Sequence, residues 1–220
     1  MTLQSTDSAA LIHAGGIVLC GGKSRRMGRS KAMLPFGDEV MLQRMVRLLG
    51  EAVEPVVVVA AVGQALPELP RSVEVAHDRH EDRGPLEGLA VGLRAIEGRA
   101  EAAFVTTCDA PLLRPAFVRR LVEMSADHTI AVPQIDGHHE PLAAVYRTSV
   151  LPHIDALLAA DRLRPAYLFD LVSTRRVTAE ELREVDPQLC SLKNVNTPEA
   201  YRAVLIEAGL VDQSGPGEHR

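Results

Sequence analysis

The order of apolar and polar positions predicts alternating strands and helices through roughly the first 125 residues. Residues 16–20 and 56–62 form uninterrupted apolar runs rich in Val, Ile and Leu, as buried parallel strands do. Apolar side chains at three- and four-residue spacing predict an amphipathic helix over residues 41–53. Shorter patterns continue this order, with strands at 73–76 and 103–107.

Helices follow these two strands, one marked by Pro85 at its first turn and one by apolar residues 117–122. Strand–helix alternation implies right-handed crossovers and a mostly parallel sheet with helices on both faces. The later pattern differs. It predicts strands at 129–133 and 142–147, helices at 150–160 and 165–172, and a last helix capped by Thr197.

Composition and length predict one domain over residues 15–210, divided near residue 125, with flexible segments at 1–14 and 211–220. The net charge of −5 argues against general nucleic-acid binding, which requires a basic surface. Cys20, Cys108 and Cys190 are odd in number and widely spaced, which favours reduced thiols in a cytoplasmic protein. We find no secretory signal, and the apolar runs are too short to cross a bilayer.

The densest chemical feature is the glycine-rich, basic loop of residues 19–31, which directly follows the first strand. Gly21 and Gly22 allow backbone N–H groups to approach phosphate oxygens without side-chain obstruction. Five cations lie within nine residues of this loop: Lys23, Arg25, Arg26, Arg29 and Lys31. A solvated basic loop is the alternative, but glycines, strand and charge together favour a triphosphate ligand. The spacing excludes a Walker A loop, which would place Ile17 at its first glycine.

The loop resembles the L-x-G-G-x-S-x-R-M-G-x-x-K signature of nucleotidyltransferases, especially the molybdenum cofactor guanylyltransferases. Ser30 replaces the usual acidic residue before Lys31. Four further motifs match in order between residues 78 and 199: Asp78 with G-P-L-x-G at 84–88, C-D-x-P around Asp109, E-P-L-x-A-x-Y at 140–146 and N-x-N-T-P-E at 194–199. The resemblance implies a three-layer, Rossmann-like α/β nucleotidyltransferase fold with an antiparallel excursion in its C-terminal half.

The resemblance also implies roles for single residues. The catalytic set is Lys31, Arg26 and Asp109. The nucleotide-binding set is Leu19, Cys20, Gly21, Gly22, Ser24, Lys31, Asp78, Gly84, Pro85, Leu86 and Asp109, within the half at 15–125. The second-substrate set is Glu140, Pro141, Asn194 and Asn196, within the half at 126–210. Asp109 is the expected Mg²⁺ ligand, because this hard ion takes one or two carboxylates together with phosphate oxygens.

Each of these residues also has a structural interpretation. Asp109 could cap the turn that follows it, Asp78 could lie in a surface turn, and Gly84 could simply permit close helix packing. Asn194 and Asn196 could bind a polar substrate or fix the turn before the last helix. The sequence His138-His139-Glu140 does not predict a metal site, because neighbouring strand residues face opposite ways.

The implied reaction joins GMP from GTP to molybdopterin carrying molybdenum and releases pyrophosphate. The partners are then GTP and molybdopterin, the latter delivered by another cofactor-biosynthesis protein, with no nucleic acid and no membrane. A cytidylyltransferase or sugar-phosphate nucleotidyltransferase would have a similar loop and similar Mg²⁺ chemistry. Gly21-Gly22 favours guanine over cytosine. A non-catalytic nucleotide-binding regulator is the third alternative, and it is disfavoured because Lys31 and Asp109 are both present.

Overall fold

The computed structural model describes residues 12–21, 30–78 and 83–211. Within these ranges the strands are β1 (Ala14–Leu19), β2 (Pro35–Phe36), β3 (Glu39–Val40), β4 (Val56–Ala60), β5 (Glu74–His77), β6 (Ala102–Thr107), β7 (Ile130–Ile135), β8 (His138–His139), β9 (Ala144–Arg147) and β10 (Thr174–Thr178). The α-helices are α1 (Met41–Gly50), α2 (Gly84–Ile96), α3 (Pro115–Met124), α4 (Leu151–Ala159), α5 (Ala179–Arg183) and α6 (Pro198–Glu207).

The main sheet has the strand order β10-β7-β9-β6-β1-β4-β5, and β8 pairs with β7. β1 lies at the centre, with parallel neighbours β4 and β6 on either side. β9 runs antiparallel between β6 and β7, whereas β10 is parallel to β7. The predicted mostly parallel α/β sheet with an antiparallel excursion is therefore confirmed.

Successive side chains of a strand point to opposite faces of the sheet, and in the central strands the side chains on both faces are apolar. Helices therefore cover both faces. In β1, Val18 joins the core cluster that contains apolar side chains of α1 and α3, while Ile17 and Leu19 join the cluster with α2 and α4. β4 divides in the same way, with Val58 on the first face and Val57 on the second. A strand that contributes to two cores has no polar face, which is why these runs are continuously apolar.

The main differences from the predicted elements lie near strand ends and in the C-terminal half. β4 ends at Ala60, and Val62, which we expected in that strand, is 71% exposed. The predicted helix at 165–172 is wrong beyond a short 3-10 helix at Pro165–Leu168. There the Ser173 carbonyl accepts the N–H groups of Thr129 and Ile130, so the chain joins the sheet as β10 instead of continuing a helix.

A small third core holds the segment after the basic loop against the C-terminal helix. Its buried members come from residues 34–41 and 195–204: Leu34, Phe36, Met41, Val195 and Val204. Thr197 caps α6 by accepting the Ala200 N–H at 3.2 Å, which confirms the predicted start of this helix. The short helix Lys31–Met33 is therefore supported by the C-terminal segment as well as by α1.

The three cysteines are buried and free, in agreement with the prediction of reduced thiols. Burial, reinforced by the Asp78 carboxylate, raises the pKa of the Cys20 thiol to about 12. Among the helices within the described ranges, none has the length and apolar content needed to cross a membrane.

Candidate active site

Most of the predicted site residues that the structure describes gather along the carboxyl edge of the parallel strands. Hydrogen bonds continue past the end of β1: Cys20 N–H donates to the Val59 carbonyl at 2.9 Å, and Cys108 N–H donates to the Leu19 carbonyl at 3.1 Å. Asp78 is fixed beside β4 by its N–H, which donates to the Ala60 carbonyl at 3.0 Å. Ligands of open α/β sheets bind at this edge, because several strands end there together.

Lys31 and Asp109 form the central ion pair of this edge. The Lys31 Nζ atom lies 2.7 Å from Asp109 Oδ2, and the two side chains are only 17% and 15% exposed. The Thr107 hydroxyl donates to the other carboxylate oxygen of Asp109. Lys31 begins the short helix Lys31–Met33, whereas Asp109 follows β6, so tertiary packing brings the two predicted catalytic residues together.

The C-terminal segment contacts both residues of this ion pair. Asn196 Oδ1 accepts a second hydrogen bond from Lys31 Nζ at 2.7 Å, and the Val195 N–H donates to the backbone carbonyl of Asp109 at 2.8 Å. Asn196 was predicted to contact the second substrate or to fix a turn. Its side chain, which is exposed like that of Asn194, contacts the lysine of the predicted nucleotide site.

Asp78 lies in a narrow space between the end of β1 and the first turns of α2. A methyl group added at Gly21 would meet Asp78 Oδ2 at 2.9 Å, and one added at Gly88 would meet Asp78 Oδ1 at 3.5 Å. Burial, and then the nearby Glu87 carboxylate, raise the pKa of Asp78 above its ordinary value. Asp78 Oδ1 is buried and has no hydrogen-bond partner among the described residues, which fits a carboxylate that receives a ligand donor.

Gln64 belongs to the same edge, although no sequence motif singled it out. Its side chain donates to the Cys20 carbonyl at 2.9 Å and accepts the Ala61 N–H at 3.1 Å. These two bonds join the ends of β1 and β4 and fix the chain where the basic loop begins. The position after a strand and before the turn residues of 65–70 was the only available signal.

The start of α2 contains three of the predicted nucleotide-binding residues, Gly84, Pro85 and Leu86. Gly84 has a φ of +71°, a left-handed conformation that favours glycine, and it begins α2 just before Pro85. Leu86 is fully buried in the core, so contact with a nucleotide from this residue is limited to its backbone. Arg83 anchors the turn by donating to the Leu158 carbonyl of α4 at 2.5 Å.

Glu140 and Pro141 precede β9, which is antiparallel to β6, so they lie at the edge where β6 ends. The Pro141 carbonyl accepts the Tyr146 hydroxyl at 2.8 Å, which fixes this turn. Glu140 is partly buried, and burial raises the pKa of its carboxyl group. Neither residue has a hydrogen bond to Lys31 or Asp109 in the described part of the chain, so this region is a separate part of the same edge.

The predicted residues Gly22, Ser24 and Arg26 lie outside the described residues. Within the described residues there is no group of three or more His, Cys, Asp or Glu side chains that would hold a metal ion by itself. Asp109 therefore belongs to no such group within the described residues. That arrangement fits Mg²⁺ only if phosphate oxygens complete its coordination, which is the usual mode for this ion.

Comparison with known proteins agrees with this geometry. Residues 16–174 match the model of the MobA-like NTP transferase domain. A protein of Mycobacterium ulcerans described as a probable molybdenum cofactor guanylyltransferase is 38% identical over 202 residues, which cover 90% of this chain and 94% of that protein. A relative of the same description from Mycobacterium avium is 38% identical over 197 residues, covering 88% of this chain and 95% of its own.

Solved structures show the same fold. The structure described as molybdopterin-guanine dinucleotide biosynthesis protein A from Archaeoglobus fulgidus superposes with a TM-score of 0.74 at 20% identity, covering 90% of this chain and all of that one. The matched family model ends at β10, and the segment that carries Asn196 lies beyond it. From the family model, the identity over nearly the whole chain and the shared fold, we conclude that this chain belongs to the MobA-like NTP transferase family and is an enzyme of the nucleotidyltransferase class.

Proposed function

We propose that this enzyme transfers GMP from GTP to molybdopterin, with or without bound molybdenum, and forms molybdopterin guanine dinucleotide and pyrophosphate. The observation that carries the proposal is the Lys31–Asp109 pair at the edge of the sheet, where Cys108, the residue before Asp109, is bonded to Leu19 at the start of the glycine-rich loop. The description of relatives at 38% identity as probable molybdenum cofactor guanylyltransferases supports the choice of substrates.

In the proposed reaction, the terminal phosphate of the pterin attacks the α-phosphorus of GTP in line with the leaving pyrophosphate. A new P–O bond forms as the bond between the α-phosphorus and the bridging oxygen breaks. The attacking phosphate is already anionic, so no strong general base is required. Catalysis then consists mainly of positioning and charge neutralisation.

Lys31 supplies one positive charge for the triphosphate from a position that is mostly shielded from water, where electrostatic interactions are stronger. Arg26 is proposed to supply another, and the backbone at Gly21 and Gly22 to contact phosphate oxygens. Asp78 Oδ1, which is buried and has no hydrogen-bond partner among the described residues, is suited to accept a donor of the nucleotide. Mg²⁺, held by Asp109 and phosphate oxygens, would orient and polarise the reacting phosphates when bound.

The proposal is tested by incubating the purified protein with GTP, Mg²⁺ and molybdopterin. Expected products are pyrophosphate and a GMP-containing pterin in equal amounts, with Asp109→Ala as the inactive control. Parallel reactions with CTP distinguish the cytidylyl alternative. Pyrophosphate release from CTP but not GTP would contradict the guanine assignment, and binding of nucleotide without any turnover would favour the regulator.

A further inference from the structure

Among the described residues, the Lys31 ammonium group has two acceptors of different charge. One is the Asp109 carboxylate and the other is the neutral side-chain amide of Asn196, each at 2.7 Å from Nζ. An ammonium group has three N–H donors, so one remains for a further acceptor.

Asn196 is held firmly by its neighbours on either side. Val195 is fully buried in the third core, and its N–H is bonded to the Asp109 carbonyl at 2.8 Å. Thr197 caps α6, which packs against the segment that begins with Lys31. In addition, the Tyr201 hydroxyl of α6 donates to the Pro35 carbonyl. The backbone at Asn196 is thus fixed relative to Lys31 and Asp109, and its exposed side chain reaches Lys31 from this position.

The difference in charge between the acceptors matters once a polyphosphate arrives. A carboxylate competes with phosphate for the lysine. It also repels the phosphate, because both groups are anions. A neutral amide does neither, so its bond to the ammonium is compatible with a bound phosphate. If Asp109 were the only acceptor, no protein group would hold the ammonium in place once phosphate replaced the carboxylate.

We propose that Asn196 is a positioning residue that keeps Lys31 directed at the triphosphate as the lysine exchanges the Asp109 carboxylate for phosphate. This inference rests on the proposed nucleotide function and assigns Asn196 to the GTP step, in place of the contact with the second substrate expected from its motif. The C-terminal segment beyond the matched family domain then completes the nucleotide site of this chain.

The first test is equilibrium binding of GTP with Mg²⁺ and no second substrate, by isothermal titration calorimetry. Asn196→Ala is expected to weaken binding about tenfold, the lower end of the range for a hydrogen bond to a charged group. In the Lys31→Ala background the same substitution should change GTP affinity by less than about twofold, because the ammonium group that Asn196 contacts is absent. An equal loss in both backgrounds, or none in either, would overturn the proposal.

A second measurement does not depend on GTP. The ammonium ¹⁵N signal of Lys31, assigned by its absence in Lys31→Ala, should be resolved and slow to exchange in the ligand-free protein. It should broaden in Asn196→Ala but persist in Asn196→Asp, which keeps the acceptor oxygen. Asn196→Asp should nevertheless bind GTP more weakly than Asn196→Ala, because the added charge repels phosphate. A Lys31 signal that Asn196→Ala leaves unchanged contradicts the positioning role.

Two reference results separate the inference from the proposed function. Gln188→Ala alters an exposed amide outside the predicted site and should leave the Lys31 signal and GTP affinity unchanged. Lys31→Ala should itself weaken GTP binding. If the wild type binds no GTP, or Lys31→Ala binds it normally, the nucleotide assignment fails, whereas loss of the Lys31 signal in Asn196→Ala would still establish the contact.

Discussion

Lys31 Nζ and Asp109 Oδ2 are 2.7 Å apart although the two residues are 78 positions apart in the sequence. One follows a loop and begins a short helix, and the other follows a buried central strand. In the ligand-free protein each therefore neutralises the other. A bound triphosphate would supply a new partner for Lys31, and its Mg²⁺ a new partner for Asp109. Nucleotide binding would then replace the ion pair between the two residues with one ion pair for each of them.

Asp109→Ala should abolish turnover and leave the fold intact. The backbone carbonyl that accepts the Val195 N–H is retained in this variant, so the C-terminal segment stays anchored. We expect kcat/KM to fall by at least about 10²-fold, as when an electrostatic stabiliser of the transition state is lost. Pyrophosphate release measures the rate, and circular dichroism measures the fold. Near-normal activity in this variant would remove Asp109 from the metal site.

Lys31→Ala should reduce transition-state stabilisation by about 2.7–4 kcal/mol, the cost observed when one such group is removed. In the proposed reaction this mostly buried cation would face the charge that develops on the leaving pyrophosphate. The measurement is kcat/KM for GTP at saturating second substrate. If the variant changed only the KM of the second substrate, Lys31 would belong to the second-substrate site and not to the triphosphate site.

Asp78→Asn should stabilise the ligand-free protein at neutral pH. The pKa of Asp78 is raised by burial and then by Glu87 from its ordinary value of 3.8, so its ionised form is disfavoured in the folded state. Its contribution to stability is greatest below the ordinary pKa and is lost as the pH rises through the folded pKa. The gain in Tm from Asp78→Asn should therefore be full near pH 8 and vanish below about pH 4.

Thermal unfolding across this pH range, compared with the wild type, measures that gain. The same substitution should weaken GTP binding, because the amide replaces an acceptor oxygen with donors. A gain in Tm that does not depend on pH would show that the charge of Asp78 is not its cause.

Gly21→Ala should fold normally and bind nucleotide poorly. The new methyl group would lie 2.9 Å from Asp78 Oδ2, the end of a side chain that can rotate away, and 3.5 Å from the Ala61 nitrogen. We therefore expect a Tm within a few degrees of the wild type but a loss of GTP affinity. Combined with Asp78→Ala, the substitution should have much less effect. Equal losses in both backgrounds would mean that the methyl group blocks the ligand directly.

Gly15→Ala should destabilise the fold by about 1–3 kcal/mol, the range for overpacking a core. Its methyl group would meet Ile96 Cδ1 at 2.5 Å and the Pro55 carbonyl oxygen at 2.8 Å, and a backbone atom cannot rotate away. Gly50→Ala is the matched control, because in the described part of the chain no atom beyond its chain neighbours and its own helix backbone lies within 4 Å of the added methyl group. At the end of α1 it should stabilise by about 0.5–1 kcal/mol. Urea denaturation of both variants gives the comparison.

The elements that the sequence determined are those fixed by local patterns. The Val-rich run of β4 and the helix spacing of α1 depend only on the order of apolar residues, which must match the two faces of a sheet or one face of a helix. Pro85 and Thr197 likewise set helix starts through their own backbone preferences. The loop after Leu19 and the aspartate after β6 followed from the position of a motif at a strand end.

Contacts between distant segments were decided by tertiary structure alone. Asn196 contacts Lys31 across 165 positions, because the third core holds α6 against the segment that follows the loop. Nothing in the N-x-N-T-P-E motif distinguishes a ligand of the second substrate from a partner of that lysine. For a related reason, the sequence did not predict the hydrogen bonds of Gln64, the strand β10 or the burial of Leu86. Each depends on which strand end or helix lies beside it, and that is set by packing rather than by its own neighbours in the chain.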